Sequence, residues 1–523
     1  MVKKGYSWIE YLLIFVILFN LIFISGCFIE DKNNDNIGDK ELFIGISTDI
    51  SGFYPLMTRD TISCSINQNF YNCLIEIDNK TKGLIPGLAE SWNNPNNLTW
   101  RFFLRKDVKF HNGDLFNAHD IKFTIELLDN SSYYKEMMSS IDKINILDNY
   151  TIDIITKEPS PVFLYNMISV NILSKEYWNN LDDYNNSLPI GTGPYKLIKY
   201  VPNEYISLES YKDYWDGAPE IKKVTFVVKN TTEKLINGLL SGELDISPIS
   251  FNDIDEVLDD DNLIIKSVQT PGVVYLGFEL RANDSVGFNN SINPLSNVNV
   301  RRAMYHAINI DDFIEIKQNQ SSRTPISQII TPNTFGYNPN INRLEYDIKK
   351  ARQLLDEAGY LDGFTIKLDC AESNNTISLC QKIVDQLALI NISVVLNPLP
   401  YQEHLTQLYL KNTSFFITGI MPLTAESACM LLLHSSNISS GMGVWNYGNY
   451  SNENVDYLCE KVLITMDIVK RKDMVQDILS TSMDEVAYIP LYSSKAFYGV
   501  RNNIYWDPRP SLYVMADEIH FKK

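Results

Sequence analysis

The sequence predicts an α/β fold, and three features carry that expectation. Phe364–Leu368, Ile377–Leu389 and Ile392–Leu396 alternate strand, helix, strand, the pattern of a sheet covered by helices. Leu98, Trp100, Phe102 and Leu104 alternate with Thr99, Arg101, Phe103 and Arg105, the period-two signature of a half-buried strand. The chain of 523 residues is long enough for two or three domains.

The elements follow in order. Lys3 and Lys4 precede an almost wholly apolar run, Tyr11 to Ile24, and then Ser25-Gly26-Cys27. Charge, a short apolar run and small residues before a cleavage point make an export signal. A Cys directly after Ser-Gly is similar to a lipoprotein signal: residues 1–26 are then removed and Cys27 is lipidated. An uncleaved anchor is the alternative, since the run lies near the lower limit for spanning. Residues 27–40, rich in Asn and Asp without apolar period, read as a flexible tether. Glu41–Ser47 reads as a first strand and Thr61–Leu74 as a helix. Lys109–His111 reads as a short strand, followed by turn residues Asn112-Gly113-Asp114. Asn117 caps a helix with Ile121, Ile125 and Leu128 on one face. Tyr150–Thr156 reads as a strand, and Pro159-Ser160-Pro161 starts a helix through Leu164 and Met167.

Gly191-Thr192-Gly193 does not read as a phosphate loop. Lys196 stands where a dinucleotide fingerprint needs Gly, and a strand follows rather than a helix. Helices are expected at Thr232–Gly242, Asn299–Ile310 and Tyr346–Tyr360, and an extended apolar run at Val273–Leu280.

Composition sets limits. Hydrophobic residues make up 45% and charged residues 21%, ordinary for a globular chain. The formal net charge of −19 repels phosphates and argues against nucleic-acid binding. No HExxH, GxSxG or Walker loop occurs, and the six histidines have no ligand-type spacing, so no catalytic residues, metal ligands or cofactors are expected. Asp182-Asp183 and Asp259–Asp261 read as solvated loops. Six cysteines remain beyond Cys27, an even number that permits disulfides in an exported protein. Cys370 and Cys380, at the end of one strand and the start of the next helix, are the pair best placed to bridge.

A family resemblance rests on PGLAESW, LTWRFFLRKDVKFHNGD and A-x-D-I-K-F between Leu84 and Leu128, joined by GTGPY at 191–195 and YKDYW at 211–215. This order resembles the extracytoplasmic solute-binding proteins of peptide and nickel ABC importers, called family 5. The resemblance covers about Glu41 to Phe521. It implies a two-lobe periplasmic-binding-protein-like fold (type II, cluster C) with a ligand cleft between lobes joined by two extended crossings. Lobe I spans 41–274, with an extra subdomain at about 81–195; lobe II spans 275–489, and 490–523 returns to lobe I.

It implies a binder of a peptide or other small solute. The partners are ABC permease and ATPase subunits, and the protein is a monomer on the outer face of the cytoplasmic membrane. The family often carries a Gly-Trp-x-x-Asp-x-x-Asp pattern in which an acid can hold an amine. Here Gly419 matches, Ile420 replaces Trp, Leu423 the first Asp and Glu426 the second, so Glu426 is the remaining acid; a Glu favoured by a helix N-terminus is the alternative. The Gly-rich loop at 443–452 faces the ligand in the family, making Trp445, Asn446 and Tyr447 candidates, unless Trp445 simply packs the loop down. Phe53 and Tyr54 follow the first strand, and Tyr401 is a further candidate. A nickel-complex binder on the same fold would rest on His404, His434, Met421, Met430 and Met442. An exported enzyme or a sensor subunit is the alternative from another class.

Overall fold

The computed structural model describes residues 40–79, 83–129, 131, 134–181, 187–283, 292–422, 424–437 and 440–522. The export signal, Cys27, the tether up to residue 39, Asp182-Asp183 and Leu423 lie outside them.

One sheet of 11 strands runs through the molecule. Its spatial order is Ile392–Leu399, Phe364–Ala371, Phe415–Ile420, Leu263–Phe278, Tyr488–Arg501, Ile246–Ile249, Glu41–Ile46, Lys223–Val228, Tyr205–Ser210 and Tyr195–Val201, with Arg323–Pro325 pairing beside Tyr488–Arg501. Helices cover it, and two large apolar cores form. One gathers Leu276, Met304, Ile383 and Phe415 in the later part of the chain. The other gathers Phe102, Phe226, Val500 and Trp506 from the earlier part and the C-terminus.

The two crossings are longer than their apolar segments suggest. Leu263–Phe278 and Tyr488–Arg501 are antiparallel partners from Leu263↔Arg501 to Gly277↔Tyr488, and each enters both halves of the sheet. Polar residues around Ser493–Lys495 interrupt the second strand's apolar pattern, so its two ends read as separate elements. The ladder shifts register at two places, a small slip between Val274↔Tyr492 and Tyr275↔Pro490 and a larger break just before it. Between Gln269↔Lys495 and Val273↔Ser493 the register shifts, and Thr270, Pro271 and Gly272 bulge. There Thr270 Oγ1 donates to the Ser494 carbonyl at 3.0 Å, and Ser493 Oγ donates to the Thr270 carbonyl at 2.7 Å. Side chains thus replace ladder bonds where Pro271 has no N–H to offer.

A four-stranded antiparallel sheet, Ala89–Asn96, Thr99–Leu104, Thr151–Thr156 and Ile141–Asp148, forms a separate layer on the earlier half. Trp100, Phe102 and Leu104 are buried as their period predicts, while Phe103 faces outward. The strand Thr99–Leu104 pairs with Ala89–Asn96 on one side and Thr151–Thr156 on the other, not with Lys109–His111. The latter makes only the isolated bridge Lys109↔Leu115, while Ala89–Asn96 pairs despite containing Pro95. The helix Ala118–Asp129 starts as expected, with Asn117 Oδ1 accepting from the His119 N–H and Asp120 Oδ2 accepting from the Asn117 N–H.

The glycines of GTGPY serve close approach. A Cβ at Gly191 would lie 2.1 Å from the Phe70 carbonyl oxygen, and one at Gly193 would lie 2.5 Å from the Phe70 carbonyl carbon. His111 holds this loop, its Nδ1 near the Pro189 carbonyl at 3.2 Å and Nε2 near the Gly193 carbonyl at 3.0 Å. Burial pushes its pKa down to about 4, so the ring is neutral and structural.

Cys370 and Cys380 are buried free thiols whose sulfurs are in hydrogen-bonding contact. Among the described residues no helix is long and apolar enough to cross a membrane.

Candidate functional site

The site is built where the two halves meet. Thr424 caps the short helix Ala425–Ala428 in a box with Ser427, which places Glu426 in its first turn. Asp467 caps the helix Ile468–Asp484 by accepting from the N–H groups of Val469 and Lys470, which places Arg471 one turn in. Nε of Arg471 donates to Oε1 of Glu426 at 2.9 Å, with the side chains 8% and 2% exposed. Nη1 donates to the Thr465 carbonyl at 3.1 Å, and the guanidinium lies 5.2 Å from the centre of the Phe335 ring.

This pair is in the later half but touches the earlier one. Met466, whose carbonyl also faces Arg471 Nη1, packs against the core of the earlier half. From that half, Tyr165 on the helix Phe163–Met167 senses both charges. Burial raises its phenol pKa, Glu426 raises it further and Arg471 lowers it.

The expected anchor Glu426 is therefore neutralised by a partner that sequence reasoning missed. The signal was legible: Arg471 shares the buried face of its helix with Val475, Ile478, Leu479 and Ser482, an arginine on an otherwise mostly apolar stripe. A buried cation needs a buried anion.

The Gly-rich loop is packed inward. Trp445 is half-buried against the later core and hydrogen-bonds to the Leu431 carbonyl at 2.8 Å. Asn446, 2% exposed, donates to the carbonyls of His434 and Tyr450 and accepts from the Tyr450 N–H. Tyr447 sets its ring edge-on to Tyr409 at 5.5 Å and Phe416 at 6.1 Å. Trp445, Asn446 and Tyr447 line a cavity of about 20 Å³ with Tyr275 and Tyr488, room for a single water. Phe53 is buried edge-on to Phe70 and Tyr200 in the earlier core, and Tyr54 lies 4.8 Å from the Trp178 ring. Tyr401 is 61% exposed at the start of the helix Tyr401–Tyr409. The structure brings Trp445, Asn446 and Tyr447 together; Phe53 and Tyr54 sit in the other core.

His404 is buried with Nε2 at 3.1 Å from the Ile417 carbonyl, and His434 has Nδ1 at 2.6 Å from the Ser435 carbonyl. Among the described residues no three His, Cys, Asp or Glu are grouped to hold a metal ion.

A long sheet shared by two cores, with charged groups meeting between them, makes a two-lobe α/β architecture. The chain belongs to the bacterial extracellular solute-binding proteins, family 5, whose model matches residues 83–439. It is 27% identical over 459 residues to the glutathione-binding protein GsiB of Pectobacterium atrosepticum, covering 84% of this chain and 85% of that protein. It is 29% identical to the dipeptide-binding protein of Escherichia coli, covering 61% and 63%. Among solved structures, HbpA2 from Haemophilus parasuis matches with a TM-score of 0.82 at 21% identity, covering 92% of this chain and all of that one. DppA from Helicobacter pylori, in complex with the peptide STSA, matches at 0.71 and 24% identity, covering 93% and 98%. The chain is thus the extracytoplasmic substrate-binding component of an ABC importer and not an enzyme.

Proposed function

We propose that this protein captures a short peptide-like solute between its two lobes by hinged closure and presents it to the permease. The bulge at Thr270–Gly272 carries the reading, because it is the wider of the two register breaks in the crossing strands, with the second beside it at Val274/Tyr275. Ladder-free backbone there can absorb a rotation while each lobe keeps its own core. Solute touching both lobes favours the closed population. On this reading lobe I runs over 41–274 with the C-terminal return from 490, and lobe II lies between. Cys27 tethers the protein as a monomer to the outer face of the cytoplasmic membrane. ATP hydrolysis belongs to the ATPase subunits.

The relatives named for glutathione and dipeptides support a peptide-like ligand. The Glu426–Arg471 pair refines how it is read. Recruiting Glu426 for a ligand ammonium would leave the Arg471 guanidinium buried without its partner, at a cost of about 3–5 kcal/mol. A free amino terminus therefore contributes little here, and main-chain hydrogen bonds and pocket shape do most of the selection.

Calorimetry on the detergent-solubilised full chain tests this with glutathione and di- to tetrapeptides, each with a free and an acetylated amine. Binding within about tenfold for the two forms is expected. A loss of more than 100-fold on acetylation would overturn the neutral-pair reading, and stabilisation by nickel chelates alone would overturn the peptide reading.

A further inference from the structure

The core of the later half sets two cysteines against each other. Cys370 is the next-to-last residue of the strand Phe364–Ala371, and Cys380 lies in the second turn of the helix Asn374–Ala388. Only Glu372 and Ser373 join the two elements, and Ser373 Oγ caps the helix by accepting from the Thr376 N–H at 3.2 Å. The helix then packs back over its own strand. The stretch from Asn374 to Cys380 rises about 9 Å, the length of about three strand residues, which returns Cys380 to the end of the strand.

Both cysteines are fully buried and share one core with Leu368, Leu379 and Ile383. Their sulfurs meet: the Cys380 thiol donates to Cys370, which holds the Cys370 pKa down and, with burial, pushes Cys380 up. The cysteines of the earlier half are engaged differently. Cys73 Sγ donates to the Ile168 carbonyl at 3.2 Å, and Cys64 Sγ to the Thr58 carbonyl at 3.7 Å. The protein works outside the cytoplasm, where disulfides form and persist.

We propose that Cys370 and Cys380 are joined in the mature protein by a buried disulfide that clips the end of the strand Phe364–Ala371 to the helix covering it. The parallel neighbour of this strand, Ile392–Leu399, leads into the helix that begins at Tyr401. The clip therefore stiffens the edge of lobe II beside that candidate residue.

The chemistry balances with a small-molecule disulfide of that compartment as oxidant. The Cys370 thiolate attacks one of its sulfurs, forms a mixed disulfide and releases a thiolate, which takes up the proton Cys370 has lost. Cys380, deprotonated in turn, attacks the Cys370 sulfur; the protein S–S bond forms and the second small thiol leaves with the Cys380 proton. Two protein thiols are oxidised, and one external disulfide is reduced to two thiols. Burial shields both sulfurs in the folded state, so exchange precedes the docking of helix on strand, and the finished bond resists reductant until the protein unfolds.

The test uses the full chain, expressed with its own export signal and recovered from the membrane fraction. It is unfolded in guanidinium with iodoacetamide and no reductant, then digested with trypsin. Cleavage after Lys367 and Lys382 leaves both cysteines in one peptide, Leu368–Lys382. We expect that peptide to be unalkylated and lighter by two hydrogen atoms than its dithiol form, and to become doubly alkylated when dithiothreitol precedes iodoacetamide in the unfolded state. Dithiothreitol applied to the folded protein is expected to leave the bond intact. Cys370→Ala is expected to free Cys380 for alkylation, whereas Cys64→Ala leaves the parental peptide unchanged; labelling is read in the unfolded state, so neither result depends on the variant's stability. Double alkylation of the parent without reductant would overturn the proposal. So would a bond from either cysteine to Cys64, Cys73, Cys429 or Cys459, or reduction of the folded protein as fast as of the unfolded chain.

Discussion

At the residue scale, paired or orphaned charge decides most of what is distinctive here. Glu426 and Arg471 form a nearly sealed ion pair, so removing one partner strands the other. Glu426→Leu and Arg471→Met are each expected to lower the unfolding free energy by about 3–5 kcal/mol. The double substitution Glu426→Leu with Arg471→Met is expected to recover most of that loss, since a well-packed apolar pair substitutes for a buried ionic one. Urea unfolding of the three variants checks the cycle; additive losses would show that the two side chains are not partners.

The buried acids set the pH response. Burial and then Asp517 push the Glu76 carboxyl up to about 7, while burial and then Glu518 push Asp517 up to about 6. The folded state therefore binds more protons than the unfolded chain. Their contribution to stability is fully present below about pH 4 and is lost as pH rises through 6 to 7. His111 has the opposite sign: its pKa is depressed to about 4, so its contribution is present above about pH 6.5 and is lost as pH falls through 4. Melting curves between pH 4 and 8 are expected to show Glu76→Gln gaining on the parent as pH rises. A constant offset would mean that Glu76 titrates normally.

At the element scale, close backbone approach matters more than composition. Gly191 and Gly193 press on the Phe70 main chain, which cannot swing aside as a side chain can. Gly193→Ala is expected to lower the melting temperature by several degrees, the scale of an overpacked core position. Thermal unfolding followed by circular dichroism reads this directly. The GTG motif was legible in sequence, but its cause was not: a phosphate loop and a backbone crossing both favour glycine. Lys109–His111 shows the same limit. Its residues suit a strand, yet the neighbouring edge was taken by Ala89–Asn96 despite Pro95, because pairing depends on which segment the chain brings alongside.

A second element contacts the first crossing strand near the Thr270–Gly272 bulge. The hairpin Ile316–Ser321 extends from lobe II, where Lys317 Nζ donates to the Asn252 carbonyl at 3.1 Å and lies 3.4 Å from Asp255. Gln320 Oε1 accepts from Ser267 Oγ at 3.1 Å on the first crossing strand. Lys317 is partly exposed, so its pairing is weak and salt-screened. Lys317→Ala is expected to change stability by less than about 1 kcal/mol while altering solute affinity a few-fold, through the open–closed balance. Calorimetry at low and high salt separates the two; a variant with parental affinity at both would remove the hairpin from any role in closure.

At the scale of the whole molecule, the two crossing strands unify the architecture. Each lobe has its own large core, and the widest interruption of the long pair is at Thr270–Gly272, with a smaller slip at Val274/Tyr275. Hinged closure predicts that a bound solute lowers the radius of gyration in solution scattering without changing secondary structure. Removing Pro271 and Gly272 together, so that the ladder closes, is expected to abolish that change. Unchanged scattering in the parent at saturating solute would refute closure.

Local pattern alone determined much of this protein. The Trp100 strand, the Ala118–Asp129 helix, the strand–helix–strand unit from Phe364 and the family itself were all legible, because burial of an alternating or helical face is written into neighbouring residues. The candidate site was legible only in part. Glu426 stood out as an acid, but its ion-pair partner Arg471 lies 45 positions away, and Tyr165 comes from the other lobe. One cavity joins residues as distant as Glu76 and Asp517. Periodicity reports which face of an element is buried; only the tertiary structure decides which buried charge meets which, because electrostatic partnership depends on distance through space and not along the chain.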